Sequence, residues 1–158
     1  MSITVKVSSD EELIKSVVYH PKVVATALPP EERLALKHRG ITKMRLHPLN
    51  YYLIAYYNGD IMGAIRWSYF TNTTLEFHAY TLPKYWGMGL PKELKNVVCE
   101  QLKLLTQCTK IITFVPASCR HVQKALMNCG FVPESAIPNS IRWKSSIPEH
   151  LYIFGATI

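Results

Sequence analysis

Two long runs of aromatic and β-branched residues flank the dipeptide Asn58-Gly59, and this feature restricts the possible folds of the chain more than any other. The runs are Tyr51–Tyr57 and Asp60–Phe70, and Asn-Gly between such runs is the strongest short signal for a tight β-hairpin. A third run of the same kind, Thr73–Leu82, follows two residues later. We therefore predict an antiparallel meander of three strands in the middle of the chain.

After the meander, the apolar residues recur with a helical period. Pro91–Thr106 carries an apolar stripe of helical period, and Lys110–Val115 is a short apolar strand. Ser118–Cys129 is predicted as a second helix, with Ser118 as its N-cap. Gly130 ends that helix, and Phe131-Val132 opens another strand. This half of the chain is therefore predicted to alternate helices and strands.

The two ends of the chain complete the order of elements. Ile3–Val7 is predicted as a first strand, and a helix starts near Asp10 and runs to about His20, where the next residue is proline. A second helix spans about Pro30–His38. After a long connection, about 133–150, Leu151–Ile158 is predicted as the last strand. The predicted order is β, α, α, β, β, β, α, β, α, β, β.

Length and composition favour one globular domain over residues 1–158. The chain has 158 residues, of which 48% are hydrophobic and 18% charged, enough for one core. No stretch approaches the roughly 20 apolar residues that span a membrane, and the first ten residues do not resemble a signal peptide. We therefore expect a cytoplasmic protein. The four cysteines, nine to eleven residues apart, are expected to be reduced and buried, with no metal site.

The formal net charge of +7 favours a polyanionic partner, which can be a nucleic acid or a nucleotide cofactor. The segment Arg33–Arg45 is especially basic, with Arg33, Lys37, Arg39, Lys43 and Arg45. Such a run is most often a solvated surface, and the alternative is a patch that attracts an acidic acceptor or a nucleic acid. The charge alone does not choose between them.

The most informative stretch is the loop between the third meander strand and the following helix. It reads Pro83-Lys84-Tyr85-Trp86-Gly87-Met88-Gly89-Leu90-Pro91. Two glycines directly before a helix allow the backbone to approach a ligand closely, and the free amides there favour a phosphate. Taken alone, the same pattern is also what a tight strand-to-helix turn requires.

Together with its surroundings, this loop resembles that of the GNAT (GCN5-related) N-acetyltransferases. The segment Trp86–Pro91 is similar to the family's glycine-rich loop, whose amides bind the pyrophosphate of coenzyme A. The preceding Leu82–Tyr85 resembles the family's His-Pro-Glu-Tyr lead-in, and the helix Val122–Cys129 with Gly130-Phe131 resembles its closing element. The likeness is good over about residues 51–132 and rests on the order of elements elsewhere.

The resemblance implies an α/β fold (α+β in strict usage) with acetyl-CoA, or another acyl-CoA, as co-substrate and without a metal. A twisted, mostly antiparallel sheet of about seven strands is expected, flanked by about four helices, with Thr73–Leu82 and Lys110–Val115 splayed apart. The implied cofactor-binding residues are Tyr80, Thr81, Leu82, Trp86, Gly87, Met88, Gly89 and Leu90.

The implied reaction is transfer of an acyl group, most simply acetyl, to the amine of an unidentified small molecule or protein. Glu76 and His78 lie on the third meander strand and are the candidate general bases. Leu126 stands where many members have a tyrosine general acid, so Tyr85 is our candidate acid, with His121 and Cys119 as weaker ones. Alternation along the strand predicts Glu76, His78 and Tyr80 on one face, and Leu75, Phe77 and Ala79 in the core.

Two departures from the family pattern keep other functions open. Trp86 replaces an arginine or glutamine, and Pro91 replaces a small residue and lacks an amide donor. The first alternative is therefore a divergent family member that has lost catalysis and serves in binding or assembly, a kind familiar among bacteriophage proteins. The second is a basic nucleic-acid-binding domain, although no RRM, KH or zinc-finger signature is present.

Overall fold

The structure is a computed structural model that describes residues 2–88 and 91–158, apart from the side chain of Pro91. Its strands are β1 Ile3–Ser8, β2 Tyr51–Tyr57, β3 Asp60–Tyr69, β4 Thr74–Thr81, β5 Lys110–Pro116, β6 Val132–Ile141 and β7 Glu149–Thr157. Its α-helices are α1 Glu11–Val18, α2 Pro21–Ala27, α3 Pro30–Arg39, α4 Pro91–Leu105 and α5 Arg120–Asn128, and short 3-10 helices span Ile41–Lys43 and Pro83–Tyr85.

The strands form one sheet in the order β1-β2-β3-β4-β5-β7-β6. β4 and β5 are parallel and pair over Thr74–Glu76, whereas β1–β2, β2–β3, β5–β7 and β6–β7 are antiparallel. The predicted meander is confirmed, and so is the predicted class, an α+β fold with a mostly antiparallel sheet. The splay of β4 from β5 stays a prediction.

The described residues group into two compact units, residues 2–68 with 78–88 and residues 69–77 with 91–158. β4 contributes its first four residues to the second unit and its last four to the first. We call them the first and the second unit. The expectation of a single domain over the whole chain stays a prediction.

The core of the first unit lies between α1, α2 and one face of β2, β3 and β4. Helix α1 turns its buried Ile14 and Val17 towards the sheet, where Ile54 and Ala64 are also buried. Tyr80 of β4 belongs to the same core and is only 5% exposed. Ala79 is exposed, so the prediction that it lies in the core is wrong. The opposite face of β2 and β3 carries Leu53 and Ile65, which are also buried.

The second unit packs its part of β4, β5 and β7 with α4 and α5. The rings of Phe77 and Phe131 stack with their centroids 5.4 Å apart. Ser118 does not cap α5 as predicted, because the helix begins at Arg120 and Cys119 is its N-cap residue. The amide of Ser118 donates to a Glu149 carboxylate oxygen at 2.6 Å, and its hydroxyl lies 3.1 Å from the other oxygen.

Two elements differ from the sequence prediction for reasons that involve proline. Pro21 was expected only to end a helix, but it also starts α2, where it occupies the first turn and needs no amide donor. The segment Val132–Ile141 was expected to be mostly connection, but it forms β6, at the end of the sheet order. An edge strand tolerates Pro133 and Pro138 because the strand does not need every amide for pairing.

All four cysteines are free and buried, as predicted. Burial raises the pKa of the Cys99, Cys119 and Cys129 thiols, which disfavours the reactive thiolate. His121 is exposed on α5. In the part of the chain that the structure describes, no helix is long and apolar enough to cross a membrane.

Candidate functional site

The loop that follows β4 is folded onto itself by backbone hydrogen bonds. The Tyr85 amide donates to the Leu82 carbonyl at 3.0 Å, and the Trp86 amide donates to the Pro83 carbonyl at 3.1 Å. The Met88 amide donates to the Tyr85 carbonyl at 3.4 Å, a longer and weaker bond. Two of the amides expected to meet a phosphate, those of Trp86 and Met88, are therefore already engaged.

Gly87 has the backbone conformation expected of a ligand-approaching glycine. Its φ of +77° lies in the left-handed region that favours glycine, and the space where a Cβ would stand is open. Gly87 and its neighbours Trp86 and Met88 are exposed. Gly89 and Leu90, which were also predicted to contact the cofactor, lie outside the described residues.

The side chain of Trp86 fastens the loop to the end of β4. Its indole N–H donates to the Thr81 carbonyl at 2.7 Å, while 46% of the residue remains exposed. Lys84 makes a second link, because its ammonium lies 3.0 Å from the Asp60 carboxylate at the start of β3. The loop is thus attached to the sheet by one indole and one ion pair.

Tyr85, the predicted general acid, lies beyond the end of β4 and is buried. Its ring packs edge-on against Tyr57 at 5.8 Å, and the Lys84 ammonium lies 4.8 Å from the ring centre. His78 stands three residues before the end of β4, about 10 Å along the strand. The strand geometry therefore does not bring Tyr85 beside His78 in the first unit.

The predicted bases Glu76 and His78 are both half-buried on β4. Glu76 belongs to the second unit and pairs in register with Ile112 of β5. His78 belongs to the first unit. Alternation along the strand places His78 on the same face as Tyr80 within the first unit.

The sheet sets an arginine beside His78, which the sequence analysis missed. The Leu82 amide donates to the Met62 carbonyl at 2.9 Å, and counting four residues along each strand from this pair places Arg66 opposite His78. On its other side Arg66 is in register with Tyr52 of β2. Directly opposed residues share a face, so Tyr52, Arg66 and His78 form a polar row across the first unit.

Two further buried tyrosines lie near this row, Tyr19 at the end of α1 and Tyr80 on β4. Together with Tyr52 we call them the tyrosine cluster. Burial raises the pKa of Tyr19 to about 12 and also raises the pKa of Tyr52 and of Tyr80. The negative charge of Glu32 on α3 adds to the rise, and the positive charge of Arg66 opposes it. The cluster therefore consists of neutral phenols over the physiological pH range.

A cavity of about 570 Å³ adjoins the beginning of the loop. It is lined by His20 and Lys22 at the start of α2 and by Leu82, Pro83 and Lys84. Three of these five side chains are basic, and the Lys84 ammonium is paired with Asp60. Among the described residues, no group of His, Cys, Asp or Glu side chains is arranged to hold a metal ion.

Comparison with models of protein families relates the strands, helices and loop described above to one family. The family model described as Acetyltransferase (GNAT) family matches residues 19–131. The chain belongs to this family. The match includes the meander, the glycine-bearing loop, the helices α4 and α5 and the closing Gly130-Phe131. No curated protein matches the sequence.

Solved structures of GNAT proteins have the same fold. A spermidine N-acetyltransferase from Vibrio cholerae, in complex with CoA and spermine, has a TM-score of 0.72 at 12% identity, over 98% of this chain and 95% of that one. A GNAT-family acetyltransferase from Streptococcus pneumoniae has a TM-score of 0.69 at 15% identity, over 99% of this chain and all of that one, 100%. The expected link to bacteriophage proteins finds no support in these comparisons.

The GNAT reaction is the transfer of an acetyl group from acetyl-CoA to an amine, and this chain is a GNAT acetyltransferase. The exposed Gly87, with its left-handed backbone and open surroundings, fits a loop that meets the cofactor phosphates.

Proposed function

We propose that this GNAT acetyltransferase holds acetyl-CoA at the carboxyl end of β4 and uses Glu76 or His78 to deprotonate a primary amine acceptor. The observation that carries the proposal is the exposed loop with Gly87 at φ +77°, directly after the strand that bears both candidate bases. Acetyl-CoA supplies the activated acetyl thioester. The protein supplies binding, orientation and proton transfer.

The cofactor contacts we propose are mostly backbone contacts. Thr81, Leu82, Trp86, Gly87 and Met88 lead from the end of β4 into the loop, and Gly87 offers the sterically most open backbone of the five. Gly89 and Leu90 stay in the proposed site on the family resemblance alone. The Tyr80 side chain is part of the core and its carbonyl oxygen faces Gly63 of β3, so Tyr80 stays in the proposed site on the family resemblance alone.

Two residues are proposed for the base because each suits the task differently. The carboxylate of Glu76 can accept a proton directly or through water. The imidazole of His78 can accept a proton on a ring nitrogen. Tyr85 remains the proposed acid that returns a proton to the departing thiolate, and its burial beside Tyr57 is the main point against it.

The acceptor is proposed to be an amine, and a polyamine is one candidate because the Vibrio cholerae relative was crystallised with spermine. We further propose that the protein works in the cytoplasm, which suits four free thiols. A second candidate function is cofactor binding without turnover. The Trp86 indole favours this second function, because its N–H donates to the Thr81 carbonyl at the end of β4, where we propose that the cofactor binds.

Calorimetric titration with acetyl-CoA and an acetyl-transfer assay over a panel of amines test the proposal. At about 100 times its dissociation constant, acetyl-CoA should stabilise the protein by about 2.7 kcal/mol. Glu76→Gln or His78→Gln should slow transfer on the order of a hundredfold in the variant that loses the base. His38→Gln, at an exposed position of α3, is the matched control and should leave the rate unchanged.

Each part of the proposal has its own contrary result. If millimolar acetyl-CoA produces no heat of binding and no thermal shift, the cofactor site is wrong. If both base variants retain the wild-type rate, neither residue is the base. Tight binding of acetyl-CoA with no turnover across the panel would favour the second candidate function.

A further inference from the structure

The chain contains a long segment without a single acidic residue. Between Glu32 and Asp60 there is no Asp or Glu, while the same stretch carries five Lys and Arg residues. Lys37, Arg39, Lys43 and Arg45 are all exposed in the first unit. None of these four takes part in a salt bridge with the described residues. We call them the basic surface.

Arg33 does not belong to this surface, although the sequence suggested that it did. It is half-buried, and its guanidinium lies 3.5 Å from the Ala25 carbonyl of α2. Its contact ties α3 to the helix before it. The exposed positive charge therefore lies on the end of α3 and on the residues that follow it.

The basic surface is held on a fixed support. Leu36, Met44 and Leu46 lie next to cations in the sequence and pack against the core of the first unit. Gly40 ends α3 with φ +76°, and its amide donates to the Leu36 carbonyl at 2.9 Å. An anchored set of cations loses less entropy on binding than a mobile tail does.

Large aliphatic side chains lie among the cations and point into solvent. Leu34 is 58% exposed, Ile41 44% and Leu49 67%. Between Arg33 and Asn50 there is no Phe, Tyr or Trp, and the aromatic rings are the imidazoles of His38 and His47, so the segment offers few rings on which unpaired bases stack. The phosphate backbone of a nucleic-acid duplex is contacted by charged and polar groups, so duplex binding would not account for the three exposed aliphatic side chains.

The arrangement also differs from that of a helix lying on a membrane. Such a helix needs a broad apolar face turned to the lipid. In α3, Leu36 is turned to the protein core, which leaves Leu34 as the one large apolar side chain of this helix that is well exposed. Positive charge mixed with isolated aliphatic side chains instead complements an acidic polypeptide that carries aliphatic residues.

We propose that the basic surface, together with Leu34, Ile41 and Leu49, binds an acidic polypeptide segment with interspersed aliphatic side chains. This surface is distinct from the proposed acetyl-CoA loop, and the proposal does not depend on catalysis. It gives the exposed cations of residues 33–59, a stretch without Asp or Glu, a partner of opposite charge. It also gives the protein a partner of the opposite charge to a polyamine.

Fluorescence anisotropy with a labelled peptide of alternating glutamate and leucine tests the proposal on the full chain, without acetyl-CoA. Wild type should bind the peptide, and raising the salt from low to physiological concentration should weaken binding. The variant K37E/K43E/R45E should bind at least about tenfold more weakly. Leu34→Ser with Ile41→Ser should weaken binding at both salt concentrations, because that loss is not electrostatic.

The matched control R120E/K124E/R142E makes the same change in net charge on exposed cations of the second unit. It should leave peptide affinity within about twofold of wild type, apart from the long-range effect of net charge that salt removes. Circular dichroism checks that each variant folds, and K37Q/K43Q/R45Q gives the same comparison without charge reversal. A fully alternating peptide of lysine and leucine should not bind.

Three results would overturn the proposal. One is equal peptide affinity of the basic-surface variant and the control variant at physiological salt. Another is tighter binding of duplex DNA than of the peptide, lost in K37E/K43E/R45E, which would make the surface a nucleic-acid site. The third is tighter binding to vesicles of phosphatidylserine and phosphatidylcholine, lost in the same variant. Acetyl transfer measured in parallel separates failure of this proposal from failure of the proposed function.

Discussion

At the scale of single residues, Trp86 is the most informative departure from the family pattern. Its indole N–H stands in place of the polar group of an arginine or glutamine, and it donates a hydrogen bond to the Thr81 carbonyl, 2.7 Å away. The loop therefore receives its order from within the chain. A net contribution of about 1 kcal/mol is usual for such a hydrogen bond.

Trp86→Phe removes the N–H and keeps most of the ring, so it tests this hydrogen bond. We expect the loop to loosen and the dissociation constant of acetyl-CoA to rise by about fivefold, which corresponds to about 1 kcal/mol. Calorimetry measures the change, and Tyr51→Phe is the control because Tyr51 is a similarly exposed aromatic residue that lies outside the proposed site. Tighter binding by Trp86→Phe would mean that the indole competes with the cofactor for the Thr81 carbonyl.

At the scale of elements, the close approach of β3 to β4 depends on Gly63. A Cβ at this position would overlap the Tyr80 carbonyl oxygen and lie 3.2 Å from the Thr81 Cα. Both obstacles are backbone atoms of the strand that carries the candidate bases. The glycine is therefore needed for space, since its φ is not in the left-handed region.

Gly63→Ala should reduce the free energy of unfolding by roughly 1–3 kcal/mol, because β3 and β4 would have to move apart. It should also weaken acetyl-CoA binding, since the end of β4 shifts. Gly155→Ala is the matched control in β7. There the three atoms nearest to the new methyl group belong to the Glu134 carboxylate, a partly exposed group that pairs with Lys110, and the loss should stay within about 1 kcal/mol. Equal losses, measured by urea unfolding, would contradict the backbone clash.

At the scale of the whole molecule, each unit carries its own set of probes. The tyrosine cluster lies in the first unit, and all four cysteines lie in the second. If residues 1–158 unfold as one domain, thiol labelling and tyrosine absorbance should report the same urea midpoint. Two separate midpoints would show two domains. A Cys99→Ala variant identifies which thiol contributes to the labelling.

The tyrosine cluster also predicts how stability depends on pH. The folded state raises the pKa of Tyr19 from 10.0 to about 12, so the unfolded chain releases this proton at lower pH than the folded one. The stabilisation is fully present below pH 10 and is lost as the pH rises from about 10 towards 12. In wild type, the free energy of unfolding should therefore be lower above pH 10 than at pH 8. Tyr19→Phe should show a smaller fall, and an equal fall would exclude Tyr19 as a source.

Local patterns in the sequence determined most of the elements. Asn58-Gly59 and the runs around it specified β2 and β3, because the turn type and the β-branched residues act over short distances. The helical stripe after residue 90 specified α4 for the same reason. The glycine-bearing loop and the order of elements were enough to indicate the GNAT family, which the family comparison confirms.

The tertiary structure decided which side chains meet. Counting back from the Asn58-Gly59 turn would place Tyr52 opposite Ile65, but a register shift between Ala55 and Tyr56 places it opposite Arg66 instead. The polar row beside His78 exists because of that one extra residue, which no local pattern announces. Likewise, Tyr80 is buried because α1 and α2 cover its face of the sheet, and strand alternation indicates only that two faces differ. Which face a helix covers depends on packing between distant parts of the chain.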